Sequence, residues 1–337
     1  MMNQIPTPER LRPAPTGRVL IVNMGRLGDT ILRNSILDSA FRTFAQVDYL
    51  CGQYNAELLR HDPRLNRVMV FQNSFAGFAS LMQAMFGGRY DAIIDLKGHA
   101  SSTSLILAAL LPGRVKTGCN RGWLRPFDRD VSSLIVPALP VIEAMRRIGR
   151  AAGLVEGEFK PKLSQPKDSI EWFGKNHAGL PRPFIFLNIS ATTSIRMWSV
   201  ENWARYVHGC GLTSRTILIN GAPQDRELVR QLCSKLPGTT AFQPRNFMDV
   251  VAAIDASQLV LTVDTGVVHA CSALDKPIVA LSSVGDTPAA YLPLSTWQLL
   301  IHPRTGCNVA DINPDEAIEA TKSCDLTALF DAAAVPA

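Results

Sequence analysis

Leu259-Val-Leu-Thr-Val263 runs straight into Asp264-Thr-Gly-Val-Val-His269, and the junction decides the fold. The first stretch is compact and β-branched, as a buried parallel strand requires. Asp264, Thr265 and Gly266 then stand at the strand's carboxyl end, and 267–274 follow at helical spacing. An α/β fold places its ligand at such a turn. N–H groups at a helix start favour phosphate, and glycine lets the backbone approach closely. A second turn of this kind lies near the N-terminus, where Arg18-Val-Leu-Ile-Val22 leads into Asn23-Met-Gly-Arg-Leu-Gly-Asp-Thr30. One turn in each half predicts two nucleotide-binding-type domains facing a shared cleft.

Outward from these junctions, strand and helix patterns alternate. In the first half, strands at 19–23, 47–51, 68–71 and 92–95 alternate with helices at 29–44, 53–60, 75–86 and 102–111. The pattern breaks between Pro112 and Pro140, and a helix at 141–152 closes the half. In the second half, strands at 184–188, 216–220, 259–263 and 278–281 alternate with helices at 200–208, 224–235, 246–254 and 267–274. Such alternation means βα units and mainly parallel sheets. Residues 1–17 are rich in proline and polar groups and predict a flexible arm. Residues 18–165 predict an N-terminal domain that ends at a linker around Pro161 and Pro166. Residues 166–312 predict a C-terminal domain of the same α/β kind. A last amphipathic helix begins at Pro314, within a tail (313–337) that could pack back on the first domain.

Composition narrows the classes. The chain has 337 residues, 47% hydrophobic and 19% charged, so it is globular and long enough for two domains. Its charge of +5 suits anionic ligands but is too small and dispersed to argue for nucleic acid. The seven cysteines form no C-x-x-C pair, which predicts reduced thiols in a cytoplasmic protein and no zinc site. No run of ~20 apolar residues predicts a membrane-spanning helix. Phe75, Phe78, Leu81, Met82, Met85 and Phe86 form an apolar stripe at helical spacing, which serves either core packing or membrane contact.

Each motif carries two readings. Gly25-Arg-Leu-Gly28-Asp29 opens a helix with G-x-x-G spacing, so a G-x-G-x-x-G dinucleotide site is poorly supported. Asp29 either complements the helix dipole or acts as a general base on a hydroxyl nucleophile. Thr192, Thr193 and Arg196 follow a strand and suit a diphosphate, with hydroxyls on its oxygens and guanidinium on its charge. Trp198 to Trp203 reads as a helix cap with aromatic packing. Gln224 and Asp225 either hold ribose or start a helix. His269 is either a satisfied structural histidine or a contact to the phosphate turn. Lys97 and His99, with Arg121, Arg125 and Arg129, form a basic set. Most of these belong to a solvated face, but Lys97 follows a strand end at the cleft edge that carries Asp29.

Taken together these segments resemble glycosyltransferase family 9, the lipopolysaccharide heptosyltransferases. The resemblance rests on Val19 to Thr30, on Asn55-Ala-Glu-Leu-Leu59 with Arg67-Val68, and on Ala191-Thr-Thr193 with Arg196 and Trp198. It rests most specifically on Asp264-Thr-Gly266 with His269 and Ala273-Leu-Asp-Lys-Pro277. It implies a GT-B arrangement of two Rossmann-like domains, with acceptor held by the N-terminal one (18–165) and nucleotide-sugar by the C-terminal one (166–312), and an inverting, metal-independent sugar transfer with no cofactor. A nucleotide-sugar donor, ADP-heptose in the best-known members, would meet an anionic glycolipid acceptor of the cell envelope. Carried onto this chain, Asp29 is the catalytic base. Thr192, Thr193, Arg196, Asp225, Asp264, Thr265, Gly266 and His269 bind donor, and Gly28, Lys97 and Arg121 face acceptor. The chain departs from the family at Arg196, where lysine is usual, and at Leu281-Ser-Ser-Val-Gly-Asp-Thr-Pro288, where Phe-Gly-Pro-Thr is common. The alternatives are a GT-B-type nucleotide-sugar epimerase and a non-catalytic paralogue that binds nucleotide-sugar.

Overall fold

The structure is a computed structural model that describes residues 15–72, 74–86, 88–136, 139–284, 289–324, 326 and 329–330. The predicted arm (apart from 15–17) and the Gly285–Pro288 part of the departure from the family lie outside the described residues.

The first half runs β1 (Arg18–Asn23), α1 (Leu27–Arg33), α2 (Leu37–Thr43), β2 (Gln46–Gly52), α3 (Ala56–Leu59), β3 (Arg67–Phe71), α4 (Phe75–Met85), β4 (Tyr90–Asp95), α5 (Ser102–Leu110), β5 (Gly113–Gly118), β6 (Arg129–Asp130) and α6 (Val141–Ala152). The second runs α7 (Lys167–Asn176), β7 (Phe184–Asn188), α8 (Val200–Gly209), β8 (Thr216–Asn220), α9 (Arg226–Lys235), β9 (Thr240–Phe242), α10 (Phe247–Ala256), β10 (Leu259–Val263), α11 (Gly266–Leu274), β11 (Ile278–Leu281), β12 (Gln298–Ile301) and α12 (Pro314–Lys322). Each half forms one parallel sheet. The orders are β3-β2-β1-β4-β5-β6 and β12-β11-β10-β7-β8-β9, both the doubly wound order that reverses beside its first strand. This is the GT-B architecture of two Rossmann-like units. β1 and β10 lie inside their sheets, and their side chains from Val19 to Val22 and Leu259 to Val263 are buried. Each fully buried Leu, Ile or Val there contributes about 1.5–3 kcal/mol.

Several predictions of detail differ. The helix expected at 29–44 tightens into a 3-10 turn at Asn34–Ile36 between α1 and α2. Its cause is a buried polar network. The Tyr49 hydroxyl donates to Asn34 Oδ1 at 3.1 Å, while Asn23 Nδ2 donates to Tyr49 and Thr30 at 3.0 and 3.1 Å. β5, β6, β9, β12 and α7 lie where no element was expected. In the apolar stripe of α4, Leu81 and Met85 are buried, and Phe78 and Met82 pack on the same core, leaving Phe75 and Phe86 exposed. The described residues of the tail pack on the second half, while 325, 327–328 and 331–337 lie outside the described residues. Ile318 meets α8 at Gly209, and Tyr206 shares a 2.8 Å hydrogen bond with Thr321. Ala317 of α12 and Phe330 both join the core of the second half.

The halves meet through α1 and α11. Ile31 of α1 is buried in the cluster built around β7, β10 and α11. A Cβ on Gly28 would stand 2.7 Å from His269 Cδ2 and 3.5 Å from Gly266 Cα. Gly28→Val is therefore expected to cost about 1–3 kcal/mol by overpacking. An unchanged urea midpoint would show that this contact yields freely.

Candidate functional site

A cleft of roughly 880 Å³ opens between the two sheets at the carboxyl ends of β1, β7, β8 and β10. The first half supplies Gly28 and Asp29. The second supplies Thr192, Arg196, Asp264, Thr265, Gly266 and His269. These residues lie far apart in the chain and converge because parallel strands deliver every βα turn to one edge.

Asp29 sits in the first turn of α1, and its Oδ2 accepts from the Arg26 N–H at 3.2 Å. The carboxylate thus caps the helix and faces the cleft at once. Behind it Arg33 is buried and donates to Asn23 Oδ1 at 3.0 Å. Tyr291 comes across from the second half and packs against the core of the first. Burial pushes its hydroxyl up from the ordinary phenol value, and the neighbouring Asp29 charge adds to the shift.

The opposite wall is built on a buried amide chain. Asn220 Nδ2 donates to Asn188 Oδ1 at 2.8 Å, and Asn188 Nδ2 donates to Thr262 Oγ1 at 3.0 Å and Thr265 Oγ1 at 3.4 Å. Thr265 Oγ1 in turn accepts from the Val267 N–H at 3.2 Å and caps α11. The turn before α11 is therefore fixed from beneath, and the helix points its positive dipole end into the cleft. Arg196 Nη1 lies 3.6 Å from Asp264 Oδ2, which holds the guanidinium beside that turn. His269 is buried, and its Nδ1 has no hydrogen-bond partner among the described residues. Burial holds the imidazole below its usual pKa, against the opposing charges of Asp264 and Asp29, so it is neutral at pH 7.

Not every predicted residue reaches the cleft. Thr193 is exposed and precedes the short 3-10 turn at Ser194–Arg196, where its carbonyl accepts from the Arg196 N–H at 3.1 Å and its side chain makes no capping bond, and it does not line the cavity. Gln224 lines it in place of Asp225, whose buried Oδ2 has no partner among the described residues. Lys97 is not in the lining, although its N–H donates to Asp95 Oδ1 at 2.7 Å on the same sheet edge. His99 stands on that edge within electrostatic reach of Asp29. Burial first, then the Lys97 and Arg33 charges, hold its imidazole low, while Asp29 opposes them. Arg121 lines a different cavity beside α5. Sequence reasoning missed Tyr291, Arg33 and Arg245. Arg245 lines the cleft while gripping Asp249 through Nε and Nη2, both at 2.8 Å, with its guanidinium 4.8 Å from the centre of the Trp172 ring. Arg33 follows Asp29 by one helical turn, a spacing that could have flagged it. Among the described residues, no group of three or more His, Cys, Asp or Glu could hold a metal ion.

Residues 78–307 match the model of glycosyltransferase family 9 (heptosyltransferase). The lipopolysaccharide heptosyltransferase 3 of Escherichia coli is 22% identical over 77% of this chain and 81% of its own length. The lipopolysaccharide heptosyltransferase 1 of Salmonella typhimurium is also 22% identical, over 78% and 87%. Among solved structures, the E. coli heptosyltransferase WaaC with ADP superposes with a TM-score of 0.73 at 18% identity, covering 91% of this chain and 99% of that one. A family 9 glycosyltransferase from Veillonella parvula gives 0.75 at 17%, covering 92% and 97%.

Proposed function

The chain belongs to glycosyltransferase family 9, and on that premise we propose that it transfers heptose from ADP-heptose onto an anionic lipopolysaccharide-core acceptor. The observation that carries this reading is the single cleft with Asp29 on one wall and the Asp264-Thr265-Gly266 turn on the other. The diphosphate of the donor lies at the start of α11, within reach of Thr192 and Arg196. Gln224 serves the ribose side, and His269 packs neutral beneath the sugar. The acceptor enters from the first half past Gly28, with Lys97 at the rim.

In the proposed step, Asp29 takes the proton of an acceptor hydroxyl. The freed oxygen attacks the anomeric carbon as the bond to the diphosphate breaks, with inversion. The departing negative charge falls on the end of α11 and on Arg196. Cationic side chains and a helix dipole supply this stabilisation, so the reaction is proposed to run without a metal or cofactor. The relatives reported above are heptosyltransferases, which favours transfer over the epimerase and the non-catalytic paralogue. An amphiphilic acceptor places the work at the cytoplasmic face of the inner membrane. Among the described residues, no helix is long and apolar enough to cross a membrane.

The test is thermal unfolding against ADP-, UDP-, GDP- and TDP-sugars. A donor at 100 times its dissociation constant adds about 2.7 kcal/mol of stability. Stabilisation by ADP-heptose well above the UDP-sugars is expected. A response to another base alone would change the donor, and no response to any would remove the transfer reading.

A further inference from the structure

A second cavity, of about 440 Å³, lies on the first half beside α5. The loop after β5 forms one wall. Arg121 and Leu124 close a tight turn through reciprocal N–H to carbonyl bonds of 3.1 and 3.0 Å. Gly122 takes φ +57° in that turn, where a larger residue would be strained. Trp123 at the tip is 87% exposed. The loop is pinned from below, because the Asn120 side chain bonds the Phe127 backbone in both directions at 3.0 and 3.1 Å and Phe127 is buried. The indole is thus held out in water by an ordered frame. Facing it, α5 presents Ile106, 54% exposed.

Charge sets the character of this surface. Arg121 and Arg125 flank the apolar groove, and none of its lining residues is acidic. Arg125 is 71% exposed and approaches Asp130 only to 3.9 Å. An apolar groove with a projecting tryptophan and flanking arginines matches a lipid interface. The ring sits at headgroup level, aliphatic side chains enter the acyl boundary, and guanidinium groups meet phosphates.

We propose that the Trp123 loop and the outer face of α5 dock the protein on a bilayer that carries anionic lipid. β4 and β5 run parallel to β1, so the loops after them leave the same sheet edge as the Asp29 turn. A bilayer held here lies beside the acceptor side of the cleft. The inference rests on the acceptor being membrane-borne, but it is tested by binding and not by turnover.

The full chain is sedimented with phosphatidylcholine vesicles and with vesicles containing phosphatidylglycerol. Strong partitioning is expected only with the anionic vesicles. Each arginine near such a surface contributes about 1 kcal/mol, so Arg125→Ala should weaken binding ~5-fold and Trp123→Ala by a similar factor or more. Thermal unfolding of both variants should stay unchanged, since both side chains are exposed. Equal sedimentation of variants and wild type, or no binding to anionic vesicles, would overturn the proposal. So would a concentration-dependent dimer dispersed by Trp123→Ala, which would assign the face to a second copy. Failure of docking leaves sugar transfer standing, and failure of transfer leaves vesicle binding as measured.

Discussion

Asp29→Ala is expected to retain donor binding and to lose turnover by at least ~10²-fold, the usual scale for a positioned base. The carboxylate stands at the start of α1, partly exposed, where it meets both the cleft and Tyr291. It also accepts the Arg26 N–H, so its removal affects the helix cap. That second role costs about 0.5–2 kcal/mol at most and appears in unfolding, not in kcat. Asp29→Asn separates the two. The amide oxygen can still accept the N–H but cannot hold a proton from the acceptor. Both variants should fall together in kcat, while Asn keeps more of the stability and both keep the thermal response to donor. Wild-type turnover in Asp29→Asn would sink the base assignment. Full stability with no donor response in either variant would instead mean that Asp29 shapes the donor wall.

The parts of the site legible in the sequence are those whose chemistry and backbone signal coincide. Asp264 to His269 follows five contiguous buried residues and contains the glycine that approaches α1, so its place at a strand end could be read directly. Gly28 and Asp29 follow β1 in the same way. The residues that escaped notice act through tertiary closure. Tyr291 follows no periodic element and reaches Asp29 only because the halves meet at α1 and α11. Arg245 gains its position from Asp249 and Trp172, which no local pattern links to a strand end. Arg121 looked like part of the acceptor wall, but the hydrogen-bonded turn to Leu124 places it in the groove beside α5. Among the elements, β6 and β9 are too short for a period-2 signal, and β5 carries Gly, Arg and Lys. α12 showed its amphipathic face plainly, yet which core would receive that face is not a property of the segment.

Trp198→Ala is expected to cost about 3–5 kcal/mol, the range for deleting a large buried aromatic, and to weaken donor binding as well. Trp198 is buried at the end of the turn that carries Arg196. Its ring centre lies 5.1 Å from Trp203 and 5.8 Å from Tyr206, both edge-on, and its Nε1–H donates to the Ile312 carbonyl at 3.0 Å. That carbonyl belongs to the segment leading into α12, so one indole ties the Arg196 turn, α8 and the approach to α12 together. Removing it leaves a cavity and a buried acceptor without its donor. The Arg196 turn also loses its anchor two residues away. Urea unfolding reads the first effect, and the thermal shift with donor reads the second. Trp198→Phe refines the argument, because it keeps most of the packing and loses only the hydrogen bond. It should recover most of the stability and most of the donor response. If Trp198→Ala lost stability yet kept the full donor response, Arg196 would be held by its ion pair with Asp264 alone, and the aromatic cluster would serve the fold without setting the site.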